Sequence, residues 1–200
     1  MGDDPPLAAG RFSVWLREAE RAVAGGEAVV PCDGCTACCT SSQFVHIGPD
    51  EAATLARIPP ALLFPAPLRP AGHVVLGFDE RGHCPMLVDG RCSIYEHRPR
   101  ACRSYDCRVF AAAAVEPEAP AIAERTRRWR FAVPSPADED AAAAVRAAAR
   151  WLGEHPDLLP ERLRGGGPTG LSVLAVQAHR AFLGGAEPAP EDVLEALEGS

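Results

Sequence analysis

The sequence contains no lysine and no asparagine, so all 20 of its basic side chains are arginines. Aspartate and glutamate together number 27, which gives a formal net charge of −7. A protein that binds nucleic acid through its phosphates needs a basic surface, so this balance argues against nucleic acid as a partner. The hydrophobic fraction of 47% is typical of a globular protein, and 200 residues fit one domain, or one small domain with helical additions.

Long apolar runs are absent as well. No stretch of about 18 apolar residues occurs, so we expect no membrane-spanning helix. The first 25 residues carry early acids and have neither an apolar stretch of signal length nor a cleavage site, so we expect no secretion. The expected location is therefore cytoplasmic. Because that compartment keeps thiols reduced, the cysteines of this protein are expected to bind metal rather than to form disulfides.

Cysteine, by contrast, is concentrated in two clusters. The first cluster has the spacing C-x2-C-x2-C-C, the second has C-x7-C-x9-C-x4-C, and no cysteine lies outside them. Thiolates two residues apart along the chain can turn toward one centre, so C-x2-C recurs in zinc and iron–sulfur sites. The sequence therefore predicts a metal site, with zinc or iron as the cofactor. The candidate ligands are Cys32, Cys35, Cys38, Cys39, Cys84, Cys92, Cys102 and Cys107.

Two arrangements of these ligands are open. Cys38 and Cys39 are adjacent, and adjacent side chains usually project in different directions, so each is expected to serve a different centre. Eight thiolates would then form two filled four-coordinate sites, each drawing on both clusters. Alternatively, part of the set holds one four-iron cluster, since C-x2-C-x2-C also resembles the start of a bacterial ferredoxin pattern. The spacing alone does not assign cysteines to individual ions.

Arginines surround the second cluster. The segment from Arg81 to Arg108 holds six arginines and three acids, a local formal charge of +3. Positive charge and N–H donors near thiolates stabilise the anionic form. We therefore expect these arginines to offset the charge of the metal site, the alternative being that they are solvated surface residues. The six are Arg81, Arg91, Arg98, Arg100, Arg103 and Arg108.

Other conspicuous residues are interpreted as structural. Because eight thiols are available, no histidine is needed as a metal ligand. The histidines in or near the two clusters are His46, His73, His83 and His97. Residues 165–167 are three glycines, but they lack the lysine and the spacing of a phosphate loop, so they are expected to form a flexible linker. The basic and aromatic residues 125–131 are expected to lie along a strand or a helix edge. No catalytic residue can be assigned, because no Ser/His/Asp set, carboxylate pair or S-adenosylmethionine loop is recognisable.

Two segments carry a resemblance to a known family. The sequence CDGCTACC (residues 32–39), followed by CPMLVDGRCSIYEHRPRACRSYDC (residues 84–107), resembles the YkgJ-type cysteine-cluster family, whose CxxCxxCC proteins are described as zinc- or iron-chelating domains. The resemblance covers residues 30–110 and implies metal binding without naming a reaction. A related cluster occurs in flagellin lysine-methylases. Three functions follow: a zinc- or iron-binding protein, an iron–sulfur enzyme related to protein lysine-methylases, or a zinc-ribbon-like interaction module with a protein partner.

The expected fold is α+β. It consists of a small metal-stabilised domain with short strands at residues 30–110, an N-terminal helix within 1–29 and a helical extension at 111–200. Apolar spacing predicts helices at 11–24, 48–58, 135–154, 171–183 and 191–197, and a helical turn from Pro99. Strands are predicted at 44–47 and 73–79. A hairpin is predicted around Asp89-Gly90.

Overall fold

The computed structural model describes residues 5–25, 30, 32 and 34–198. The chain divides into two compact units. We name the first the helical unit, which comprises Met1–Gly26, Cys107–Glu118 and Ala123–Ser200. The second is the cysteine unit, which comprises Glu27–Asp106 and Ala119–Ile122. Helices at both ends of the chain therefore belong to one unit, although the sequence suggested two separate segments.

The mixture of helices and short strands confirms the α+β class. In the described residues the helices are α1 (Phe12–Val23), α2 (Ala52–Leu55), α3 (Arg100–Ser104), α4 (Arg108–Ala113), α5 (Pro120–Arg128), α6 (Pro136–Glu154), α7 (Gly167–Ala178) and α8 (Pro190–Glu198). The strands are β1 (Leu7–Arg11), β2 (Val45–Ile47), β3 (Leu63–Pro65), β4 (Val74–Leu76), β5 (Leu87–Val88), β6 (Arg91–Cys92) and β7 (Trp129–Ala132). None of the described helices combines the length and hydropathy that a bilayer span requires.

The core of the helical unit is formed by α1, α4, α6, α7 and α8. Phe12, Trp15 and Leu16 recur at helical spacing on α1, and all three are buried. The rings of Phe12 and Trp15 also contact Phe131 of β7, with centroids 5.1 and 4.9 Å from it. Strand β7 pairs in parallel with β1. The sequence did not predict β1, because its residues show no alternating apolar pattern.

One buried carboxylate joins the starts of α1 and α6. Asp138 is fully buried, and its oxygens accept hydrogen bonds from the Arg11 guanidinium at 3.0 and 3.1 Å and from the Ser13 backbone N–H at 3.1 Å. The start of α1 has no capping side chain of its own, so Asp138 supplies that cap. Ser135 caps α6, at the start of the helix predicted at 135–154.

The cysteine unit contains an antiparallel sheet of order β2-β4-β3 and the β5–β6 hairpin. Ile47 and Leu76 from the sheet, Ile58, and Met86 and Ile94 beside the hairpin form its small core. Strand β3 was not predicted. It lies at the edge of the sheet, a position that tolerates Pro65 although proline has no backbone N–H to donate. The helix predicted at 48–58 is reduced to the four residues of α2.

Replacing Asp138 by asparagine should lower the melting temperature at neutral pH. Hydrogen bonds from Arg11, Ser13 and Ser135 hold the pKa of Asp138 well below its usual range. A carboxyl whose pKa is lower in the folded state contributes its full stabilisation above its unfolded pKa of about 3.9, and that contribution is lost as the pH falls from there through the folded-state pKa. The difference in melting temperature between Asp138→Asn and the wild type should therefore be largest at pH 7 and shrink steadily as the pH is lowered from about 4.

The matched control is Asp140→Asn, because Asp140 is an exposed aspartate on the same helix. This variant should melt like the wild type. Equal melting temperatures for Asp138→Asn and Asp140→Asn at pH 7 would contradict the capping role of Asp138.

Candidate metal centre

The first cysteine cluster is held by short turns. The Cys35 backbone N–H donates to the Cys32 carbonyl at 2.9 Å, which closes a turn around C-x2-C. Cys38–Thr40 forms a single 3-10 turn, and the Thr40 hydroxyl donates back to the Thr36 carbonyl at 3.2 Å. With so few backbone hydrogen bonds, this segment owes its position to contacts with the rest of the unit.

The second cluster is carried by the hairpin and by α3. Asp89 and Gly90 both have positive φ, 49° and 72°, which is the conformation that a two-residue type I′ turn requires. This turn places Cys92 of β6 opposite Leu87 of β5. Cys102 lies in α3, which begins directly after Pro99, as the sequence predicted.

Backbone hydrogen bonds join the two clusters. The Cys84 N–H donates to the Cys39 carbonyl at 2.7 Å, and the Ser42 N–H donates to the Gly82 carbonyl at 2.9 Å. These two bonds form a short bridge between segments that lie about forty residues apart in the sequence. They bring the end of the first cluster directly against the start of the second.

Seven of the eight predicted ligands line one cavity of about 530 Å³ in the cysteine unit. None of the eight cysteines, all of which the structure describes, is in a disulfide. The seven are Cys32, Cys35, Cys38, Cys39, Cys84, Cys92 and Cys102. The described lining residues include no histidine, aspartate or glutamate, so the thiols are the only strong metal donors among them.

Cys107 is placed differently from the other cysteines. It belongs to the helical unit, is buried, and its sulfur accepts a hydrogen bond of 3.2 Å from the indole N–H of Trp129. Its spacing from Cys102 predicted a metal ligand, and that role stays a prediction. The hydrogen bond from Trp129 is a contact typical of a packed thiol.

The thiols share the cavity without yet surrounding a single point. Among the described residues, no three Cys, His, Asp or Glu side chains are arranged so that they could hold one ion. The thiols are therefore neighbours in one cavity and do not form a complete coordination shell.

Burial, followed by the charges of neighbouring thiolates, raises the pKa values of Cys39, Cys84 and Cys102. Burial, followed by the charges of Cys84 and other neighbouring thiolates, raises the pKa of Cys39 to about 11. Burial, followed by the charges of Cys39, Cys84 and Cys92, raises the pKa of Cys102 to about 12. A bound cation reverses this balance, because it stabilises each thiolate and removes the repulsion between them.

The six arginines of the second segment divide into different environments. Arg98 lines the cavity, and its guanidinium lies 3.7 Å from the centre of the Tyr95 ring. Its positive charge offsets a small part of the rise in the pKa of Cys102. Arg91 lines the cavity from an exposed position. Arg81 pairs with Asp79 on the surface. Arg98 is therefore the arginine placed to act inside the cavity.

Glu51 positions the helix that carries Cys102. Its buried carboxylate accepts the Gly48 N–H at 2.9 Å and the Arg100 N–H at 2.5 Å, so it connects the end of β2 to the start of α3. The helix predicted at 48–58 did not indicate this role of Glu51. No local sequence pattern could indicate the contact between Glu51 and Arg100, because the two residues lie 49 positions apart in the chain.

Replacing Glu51 by glutamine should destabilise the protein by about 1–3 kcal/mol, because an amide N–H₂ would face a backbone N–H that has lost its acceptor. Alkylation of Cys102 should also become faster, since α3 loses its anchor. Mass spectrometry of alkylated peptides and urea denaturation measure the two effects.

Asp50→Asn is the control, because Asp50 pairs with the Arg100 guanidinium on the exposed surface at 2.5 Å. Exposed ion pairs contribute little, about 0–1 kcal/mol. If Asp50→Asn and Glu51→Gln gave the same stability and the same Cys102 reactivity, Glu51 would have no positioning role.

Comparison with known proteins agrees with this site. Residues 31–119, somewhat less than half of the chain, match the model of the CxxCxxCC family, whose description reads "putative zinc- or iron-chelating domain". No curated protein and no solved structure matches the chain. The matched segment contains all eight cysteines. The similarity to this family that the cysteine spacing suggested is therefore confirmed over residues 31–119.

Proposed function

We propose that the cysteine unit binds zinc or iron through thiolates that line its cavity. The observation that carries this proposal is the convergence of seven cysteines, from two distant segments, on one cavity. Thiolates are soft donors that favour zinc and iron–sulfur sites, whereas magnesium and calcium prefer oxygen ligands. The described lining residues offer no carboxylate that would bind magnesium or calcium.

The number of thiols supports more than one ion. A closed structural zinc site takes four ligands, and seven thiols exceed that number. We therefore propose either a site of more than one zinc ion or an iron–sulfur cluster. In both cases the cysteines of the first segment would close onto Cys84, Cys92 and Cys102. Bound metal would connect segments whose shared apolar core is small, so it would contribute to folding as well.

The identity of the metal is decided by direct measurement on the full-length protein purified without oxygen. Elemental analysis gives the metal per chain, and absorbance near 400 nm reports an iron–sulfur cluster. A colourless protein with zinc favours the structural site. A brown protein with iron and sulfide favours the iron–sulfur alternative, which is also the form expected of an enzyme related to lysine-methylases. Either form suits the reducing cytoplasm that we propose as its location.

Cysteine substitutions test which thiols bind. Cys39→Ser and Cys102→Ser should each lower the metal content, because both residues line the cavity. Cys107→Ser should keep the metal content of the wild type, since its thiol packs against Trp129 in the helical unit. Elemental analysis of the three purified variants measures this difference.

Cys107→Ser also serves as the control for a general folding defect, because it changes a buried cysteine without touching the cavity. The assignment of seven thiols would be wrong if Cys107→Ser lost metal while Cys39→Ser retained it.

Metal affinity should rise with pH. The raised pKa values of Cys39 and Cys102 mean that both thiols carry protons at pH 7, and a metal ion must displace them. Each displaced proton makes the apparent affinity increase about tenfold per pH unit. Competition with a zinc chelator between pH 6 and pH 8 measures the slope. A zinc affinity that is independent of pH would show that thiols are not the ligands.

A further inference from the structure

The cavity is larger than bound metal ions alone would require. A metal ion is no larger than a water molecule, which accounts for about 30 Å³ of liquid volume, so the ions themselves would fill only a small part of a cavity of about 530 Å³. Ligand sites for small organic molecules typically measure about 300–1,000 Å³. The cavity therefore has room for a second occupant beside the thiols.

The remaining wall of the cavity is apolar and aromatic. Phe44, Met86, Ile94, Tyr95 and Tyr105 all line it. This lining is typical of a site that binds the hydrocarbon part of a small molecule, because apolar surface removed from water on both sides favours association. The thiols and the aromatic wall are thus two different surfaces of one cavity.

Two exposed rings extend this wall. Phe44 is 63% exposed, and its ring centroid lies 5.0 Å from that of Phe78, which is 38% exposed. Large apolar side chains that stay together on the surface mark binding sites more often than isolated ones do. Because Phe44 also lines the cavity, an apolar ligand could cover these rings as it enters.

The charge of the lining identifies the polar part of such a ligand. The described lining residues include two arginines, Arg91 and Arg98, and no acid. The Nε–H of Arg98 is buried and has no hydrogen-bond acceptor among the described residues. A buried, unpaired donor on a cation is costly, and a carboxylate satisfies it with two parallel hydrogen bonds.

We propose that the cysteine unit binds a small organic carboxylate, with its apolar body against the wall of Phe44, Met86 and Tyr95 and its carboxylate on Arg98. The stacking of Arg98 on Tyr95 fixes the plane of the guanidinium, whose fork of N–H donors matches the geometry of a carboxylate. The proposal rests on the proposed metal function only in that the metal occupies the thiol-lined part of the same cavity.

The test uses the full-length protein with its measured metal content and a panel of probes: benzoate, 3-phenylpropionate and hexanoate, each with its uncharged amide. Isothermal titration calorimetry should detect binding of at least one acid and weaker binding of its amide. Arg98→Gln should weaken acid binding by about ten- to a hundredfold, because hydrogen bonds to a charged group are lost. Arg98→Lys should restore part of the affinity, since it keeps the charge without the planar fork.

The matched control is Arg81→Gln, which removes a surface arginine of the same unit that pairs with Asp79 and does not line the cavity. It should bind the acid like the wild type. Three results would overturn the proposal: no acid in the panel binds, each acid binds no better than its amide, or Arg98→Gln and Arg81→Gln bind equally well.

Metal content is measured on every sample, so the two proposals can fail separately. Acid binding that depends on Arg98 in a protein without metal would sink the metal proposal and leave this one standing. If Arg98→Gln loses its metal and the wild type binds no acid, Arg98 serves the thiolates instead, and the carboxylate site is wrong.

Discussion

The burial of several thiols within one cavity is the constraint on which the cysteine unit depends. Burial raises the pKa values of Cys39, Cys84 and Cys102, and the charges of neighbouring thiolates raise them further. Without a cation, these thiols stay protonated and repel as soon as they ionise. With a cation, the same crowding becomes a set of ligands. This is why we propose that the seven thiols of the cavity bind a metal.

The rest of the unit serves to hold these thiols near one another without fixing them. The bond from Cys84 to Cys39 connects the two clusters, the Asp89-Gly90 turn sets the position of Cys92, and Glu51 anchors the helix of Cys102. The first cluster has little regular structure of its own. This combination of one fixed side and one adaptable side suits a site that closes when the metal binds.

Local chemistry in the sequence was sufficient to predict part of this arrangement. The spacing of the cysteines predicted that the two clusters share a site, and seven of the eight cysteines line one cavity. Asp89-Gly90 predicted the hairpin, and apolar spacing predicted a helix from residue 135. Contacts between distant residues could not be predicted in the same way. The pairing of β1 with β7, the cap that Asp138 provides for α1 and the bond of Glu51 to Arg100 join residues that share no local pattern. The placement of Cys107 also depends on such contacts, since its partner is Trp129.

X-ray absorption at the metal edge of the full-length protein tests the central claim most directly, because it reports the atoms bound to the metal. The account predicts a shell dominated by sulfur, at about 2.3 Å if the metal is zinc. It also predicts that this shell is lost or depleted in Cys39→Ser and unchanged in Cys107→Ser. A shell of oxygen and nitrogen at about 2.0–2.2 Å, with no sulfur, would contradict it.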